Sequence, residues 1–200
     1  LLLGLNRPTA GSIRFGDSPL DTADRSFMRG YRKSVQAVFQ DPYSSLDPRQ
    51  RVKNIIAEPL RSLRIAGPVD EAVKAALLSV GLGEDAMGRY PHEFSGGQRQ
   101  RIAIARAIVA RPELVLADEA VSALDLSTRV KIVALLQSLS QSMTLLLVSH
   151  DLSVVASLCE DIVILERGRI VESGKTRQVL DAPQHSYTRK LIDSVPRMPV

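Results

Sequence analysis

Two short apolar runs stand out along this chain, Leu114-Val115-Leu116-Ala117 and Leu145-Leu146-Leu147-Val148. Each ends at polar residues, Asp118-Glu119 and Ser149-His150. Runs of this length, uniformly apolar and not alternating, predict buried strands of a parallel sheet. Helix-like segments at about 127–141 and 151–159 follow them, and strand–helix alternation from Glu113 onward implies a parallel sheet with crossover helices. Upstream, Val35 to Phe39 reads as another strand ending at Gln40, and Gly11 to Phe39 as two strands around a charged segment, Asp21 to Lys33. Asp41 to Pro48 is turn-rich. Val52 to Leu63 and Asp70 to Val80 read as helices, the second with Asp70 near its start and Gly81 just past its end. Gly83 to Phe94 links these to a helix-like run, Ile102 to Ala110. Ile162-Val163-Ile164-Leu165 and Arg169-Ile170-Val171-Glu172 flank Arg167-Gly168 as a β-hairpin, and the residues from Thr176 form a tail with two short helical patterns.

Two places carry candidate chemistry. Ser95-Gly96-Gly97-Gln98 opens a helix. The Ser95 hydroxyl can cap it, the two glycines leave the backbone approachable, and free N–H groups and the helix dipole face a negative charge. Arg99 and Arg101 add positive charge nearby. Asp118 and Glu119 end a strand, and open α/β sheets bind ligands at that edge. One acid suits Mg²⁺, directly or through water, because a hard cation takes oxygen ligands. The other suits orienting or deprotonating a water. Each motif alone is also explained by a capped surface helix or a strand that ends in a polar turn.

In combination and order, the motifs resemble those of the ATP-binding cassette (ABC) ATPases. Ser95-Gly96-Gly97-Gln98 is similar to that family's signature, Leu114 to Glu119 to its Walker B strand, and Ser122-Ala123-Leu124-Asp125 to its D-loop. Gln40 resembles the Q-loop glutamine and His150 the switch histidine. Gly11 to Gly16 resembles the strand and turn found shortly after the phosphate loop. The resemblance covers nearly the whole chain. It implies an α/β fold, a RecA-like P-loop NTPase core (about 1–40 and 111–175) with an inserted helical subdomain (about 41–110), followed by a tail (176–200).

The resemblance also implies roles. Two subunits sandwich two ATP molecules; Ser95, Gly96, Gly97 and Gln98 bind the γ-phosphate held by the other subunit. Asp118 holds Mg²⁺, Glu119 polarises the attacking water, His150 contacts the γ-phosphate, Gln40 senses Mg²⁺ and water, and, in the D-loop with Ser122, Asp125 helps couple the two sites. Gln-Asp-Pro-Tyr-Ser-Ser-Leu-Asp-Pro-Arg after strand Val35–Phe39, and Ala182-Pro183-Gln184-His185-Ser186-Tyr187-Thr188-Arg189, look like elements of peptide and nickel importers. The implied partners are a second ATP-binding subunit, identical or paralogous, two transmembrane permease subunits and, indirectly, a solute-binding protein, with the ATPase peripheral at the cytoplasmic face of the cell membrane. Leu60 to Leu63 or Tyr43 are candidates to touch a permease helix.

The phosphate loop itself, G-x-x-x-x-G-K-[ST], does not occur in these 200 residues. Gly168 to Thr176 is a decoy, with one residue too many between the glycines and a hairpin around them. The expected explanation is truncation, Leu1-Leu2-Leu3-Gly4-Leu5 resembling the end of the helix after the loop, and a chain so truncated is expected neither to bind ATP tightly nor to hydrolyse it.

Composition agrees. Hydrophobic residues make up 44% and mean hydropathy is +0.01, a globular profile, and no stretch reaches the roughly 20 apolar residues of a membrane span. The N-terminal leucines lack the basic start and length of a signal peptide. One cysteine, Cys159, makes an internal disulfide impossible and reads as a small apolar residue. The net charge of +4 is scattered, with 4% aromatics, so nucleic acid is not an expected partner. Two alternatives remain: a soluble ABC ATPase acting on nucleic acid or ribosomes, against which 41–94 is short and lacks heptads, and a degenerate subunit without activity, against which Glu119 and His150 are both present.

Overall fold

In the computed structural model, residues 1–194 are described, those of Pro42 and Tyr43 by backbone alone; the last six residues of the expected tail, 195–200, lie outside the described residues. The chain forms two compact units, Leu1–Val148 and Ser149–Val200.

The first unit is built on β3 (Val35–Val38), β4 (Leu114–Asp118) and β5 (Thr144–Val148), parallel and in that order, with Ala37 opposite Leu116 and Leu116 opposite Leu146. β4 is the central strand, and Val115, Leu116 and Ala117 are buried on it, as the uninterrupted apolar run predicts. β5 departs from expectation. Among the described residues it pairs only with β4, and Leu146 and Val148 are exposed, so it is an edge strand with one face uncovered. An apolar run reports burial only when both faces are covered, and here one is not.

A small hairpin, β1 (Arg14–Phe15) and β2 (Ser18–Pro19), precedes α1 (Arg25–Ser34). The segment from Asp21 to Lys33 is thus mostly helix. The Asp24 carboxylate caps it, accepting from the N–H groups of Ser26 and Phe27 at 2.7 and 3.1 Å, the local signal that a helix starts there. Its charges lie on the solvent side, while Met28 and Tyr31 pack with Val35, Leu3, Phe15 and Leu114. Leu1 to Leu3 form a turn closed by the Gly4 N–H on the Leu1 carbonyl at 2.8 Å, not a helical ladder.

After β3 comes a helical block. It holds the short α2 (Pro42–Ser45), then α3 (Val52–Ser62), α4 (Val69–Ser79) and α5 (Gly96–Ile108). Two single-turn 3₁₀ segments, Glu84–Gly88 and Pro91–Glu93, occupy the expected linker. Ile56, Val73, Leu77 and Ile102 are fully buried between α3, α4 and α5. Arg101 crosses from α5 to the Val80 carbonyl at 2.7 Å and ties down the end of α4. α6 (Leu126–Leu139) links β4 to β5.

The second unit holds α7 (Leu152–Leu158), the hairpin β6 (Asp161–Glu166) and β7 (Arg169–Lys175), α8 (Thr176–Asp181) and α9 (Ser186–Asp193). Arg167 and Gly168 have φ of 52° and 78°, the left-handed pair that a two-residue hairpin turn requires. Lys175 lies opposite Asp161 and is bonded to it at 3.0 Å. The Lys-Thr after Gly174 is therefore the end of a hairpin, as expected of the decoy. Glu172 on β7 accepts from the N–H groups of Gln184 and His185 at 2.8 and 3.0 Å. Those bonds, Gln184 first, hold its carboxyl below the usual range. The Pro-Gln-His element is thus stapled to the hairpin within its own unit.

Candidate functional site

The site begins where β4 stops. Asp118 is its last residue, half-buried. Glu119 then adopts φ of 50°, the left-handed region that a residue with a Cβ rarely enters. The conformation is held from both sides: the Glu119 N–H donates to the Val148 carbonyl of β5 at 2.9 Å, and its carbonyl accepts from the Ser122 N–H at 3.1 Å and the Ser122 hydroxyl at 2.9 Å. Asp118 and Glu119 thus stand at the C-terminal edge of the sheet, where the strand ends in this turn. Strain of this kind, at a residue overdetermined by its neighbours, is characteristic of functional sites.

Gln40 follows β3 by two residues, and its amide donates to the Ser122 hydroxyl at 3.3 Å. The structure therefore brings Gln40, Ser122 and Glu119 into one hydrogen-bonded chain beside Asp118, across the C-terminal ends of two parallel strands. Topology accounts for this: β3 and β4 pair in parallel, so both chains leave the sheet on the same side. His150 is the second residue of the second unit, two residues beyond the end of β5 and just before Asp151, which caps α7 by accepting from the Ser153 N–H at 3.0 Å.

A second constellation forms at the start of α5. Ser95 is its N-cap with extended backbone, and the capping box is reciprocal: Gln98 N–H to Ser95 Oγ at 3.4 Å, Ser95 N–H to Gln98 Oε1 at 2.9 Å. Gly96 has open space where a Cβ would stand. Gly97 does not, because a Cβ there would lie 2.2 Å from the methyl of Thr128 on α6. The Cβ position is thus open at Gly96 and taken by Thr128 at Gly97. Asp125 caps α6. It accepts the Thr128 N–H at 3.0 Å and the Ser127 hydroxyl at 2.8 Å. The Thr128 N–H first, then the Thr128 and Ser127 hydroxyls, pull its carboxyl down to about 2.

Arg106 was not visible as special in the sequence. Its guanidinium reaches from α5 to the Ser45 carbonyl, at the end of the turn that follows Gln40. Burial pulls its pKa down, partly offset by Glu58. No spacing marks Arg106, since its partner is a backbone atom 61 residues away.

The donors suit magnesium as part of a ligand complex. Among the described residues no group of three or more His, Cys, Asp and Glu converges on a metal position. A cation here would take Asp118, with Gln40 nearby, and complete its shell from phosphate oxygens and water, the usual habit of Mg²⁺.

Parallel strands, a left-handed turn at Glu119 with Gln40 bonded into it and a capped glycine helix define an α/β core of the P-loop NTPase fold. The chain belongs to the ABC transporter family: the family model for ABC transporters matches residues 1–122, and that for the oligopeptide/dipeptide transporter C-terminal region matches 171–200. It is 46% identical over 200 residues to the glutathione import ATP-binding protein GsiA of Salmonella typhimurium (strain LT2), and 45% identical over 199 to that of Escherichia coli (strain K12), in each case over 98% of this chain and 32% of the relative. The chain thus spans about a third of the length of these curated relatives. Among solved structures it is similar to cbiO1 of Clostridium perfringens, part of the ABC transporter complex cbiONQ, with a TM-score of 0.79 and 26% identity over 98% of this chain and 77% of that one.

Proposed function

We propose that this chain works within an ATP-binding and ATP-hydrolysing subunit that energises import through a membrane permease, with small peptides the favoured cargo. The observation that carries the reading is the Gln40–Ser122–Glu119 chain at the end of β4, which holds a carboxylate at the strand edge in a strained turn. The oligopeptide/dipeptide family model and the glutathione-import relatives support the cargo class, glutathione being a small peptide.

In this reading Glu119 accepts a proton from, or aligns, the attacking water. Gln40 sets the Ser122 hydroxyl, and through it the Glu119 turn. Asp118 would hold Mg²⁺, which, when bound, offsets phosphate charge. Ser95, Gly96, Gly97 and Gln98 offer helix N–H groups to a phosphate carried by a second subunit, Asp125 helps couple the two sites, and His150 contacts the γ-phosphate. Positioning and fixed electrostatics supply most of the rate in phosphoryl transfer. The segment 41–110 acts as the helical subdomain, and 1–40 with 111–175 as the core.

A groove of about 340 Å³ lies between α1 and the end of α3. It is lined by Arg25, Arg29 and Arg32 with Ser62 and Leu63. Leu60 is buried and unavailable to a partner, whereas Leu63 borders the groove. No helix among the described residues is long and apolar enough to cross a membrane. The family likeness supports a subunit that sits peripherally against permease subunits at the cytoplasmic face.

The decisive test is Glu119→Gln in the full-length protein. ATP binding stays within about threefold of wild type, while turnover falls by about 10² or more, as expected when a positioned acid–base group is lost. Unchanged turnover would remove Glu119 from the mechanism.

A further inference from the structure

We infer that Thr128 is a positioning residue that seats the signature helix α5 on the D-loop helix α6, and that Gly97 is glycine to admit its methyl group. Glycine inside a helix costs about 1 kcal/mol relative to alanine, so two in succession in the first turn of α5 call for a reason at each. Backbone conformation gives none for Gly97, which is not among the residues with positive φ. Space does. A Cβ at position 97 would stand 2.2 Å from Thr128 Cγ2 and 3.5 Å from both Thr128 Cβ and Oγ1. At Gly96 a Cβ would meet nothing within 4 Å.

Thr128 cannot readily turn its methyl aside. It is β-branched and stiff about χ1, its hydroxyl bonds the Asp125 carboxylate, and its N–H donates to the same carboxylate at 3.0 Å. Rotating the side chain to make room would break the hydroxyl bond that helps cap α6. Three residues thus form a continuous link: Asp125 in the D-loop holds Thr128, and Thr128 meets the backbone of Gly97 in the signature. Through it the two segments, both assigned to the face presented to a second subunit, keep a fixed separation and move together. The catalytic part of this inference rests on the ATPase reading above; the steric part does not.

A double-mutant cycle separates the two. Thr128→Ser removes the methyl and keeps the hydroxyl. In thermal melts of nucleotide-free protein, Gly97→Ala should lower the midpoint, and adding Thr128→Ser should recover more than half of that loss, since contacting residues are not additive. Additive effects would overturn the contact. In the full-length subunit assembled with its permease, Thr128→Ser alone should lower kcat about threefold to tenfold, as expected of sub-ångström misplacement, with a smaller change in KM for ATP, because the signature helix meets only the terminal phosphate and the rest of the nucleotide is held elsewhere. A kcat equal to wild type would overturn the positioning role. If wild-type protein hydrolyses no ATP, the ATPase reading and the positioning role resting on it both fall, while the melting cycle still decides whether Thr128 dictates glycine at 97.

Discussion

At Glu119 the usual ranking of alanine and glycine should invert. Glu119→Ala and Glu119→Gly both delete the carboxylate, so lost charge and lost chemistry cancel between them, leaving only the Cβ and the backbone. At an ordinary position alanine is the more stable by about 0.4–1 kcal/mol, because it restricts the unfolded chain. Here φ is 50°, and a residue with a Cβ in the left-handed region is disfavoured by about 1–2 kcal/mol, a cost glycine escapes. The difference leaves glycine ahead by about 0.5–1 kcal/mol. The turn has no cheap way to relax, since its N–H is committed to Val148 and its carbonyl to Ser122. For a protein of this size that corresponds to a midpoint roughly 1–4 °C higher for the glycine variant. Paired thermal melts or urea titrations of the two variants read the difference directly. Equal stability, or alanine ahead, would show that the turn is unstrained or relaxes freely, and the account of a strained turn holding Glu119 at the strand edge would fail.

Two further effects follow from the caps. Ser95→Ala should destabilise the protein by about 0.5–1 kcal/mol in urea titration, and Gln98→Ala comparably, because each removes one arm of the box that opens α5; a double mutant equal to either single would confirm that the arms act as a pair. Asp125 titrates well below its ordinary value in the folded state, so its cap on α6 contributes above the unfolded value near 4 and is lost as pH falls through about 2. The acid-unfolding profile of Asp125→Asn should accordingly show less loss than wild type across that window, and identical profiles would count against the cap.

The edge strand β5 and helix α1 show where local reading ends. Leu145 to Val148 has the composition of a buried strand, yet Leu146 and Val148 are exposed, because burial depends on what lies against each face and composition carries no record of that. The charged stretch from Asp21 to Lys33 looks like a polar connection until Asp24 is recognised as a cap and Phe27, Met28 and Tyr31 as one inward face. That signal was local and legible.

Motif order, the acid pair, the capped glycine helix and the hairpin decoy were all determined by the sequence itself, since each rests on neighbours within a few residues: cap geometry, turn chemistry and apolar runs are short-range properties. Tertiary structure alone decided the rest. That Gln40 meets Ser122, that Arg106 holds the Ser45 carbonyl and that Gly97 makes room for Thr128 are contacts across 82, 61 and 31 positions of chain. They exist because parallel strands send distant segments out of the same sheet edge and because helix packing brings two first turns within a methyl group of each other. Neither relation leaves a periodic trace in one sequence.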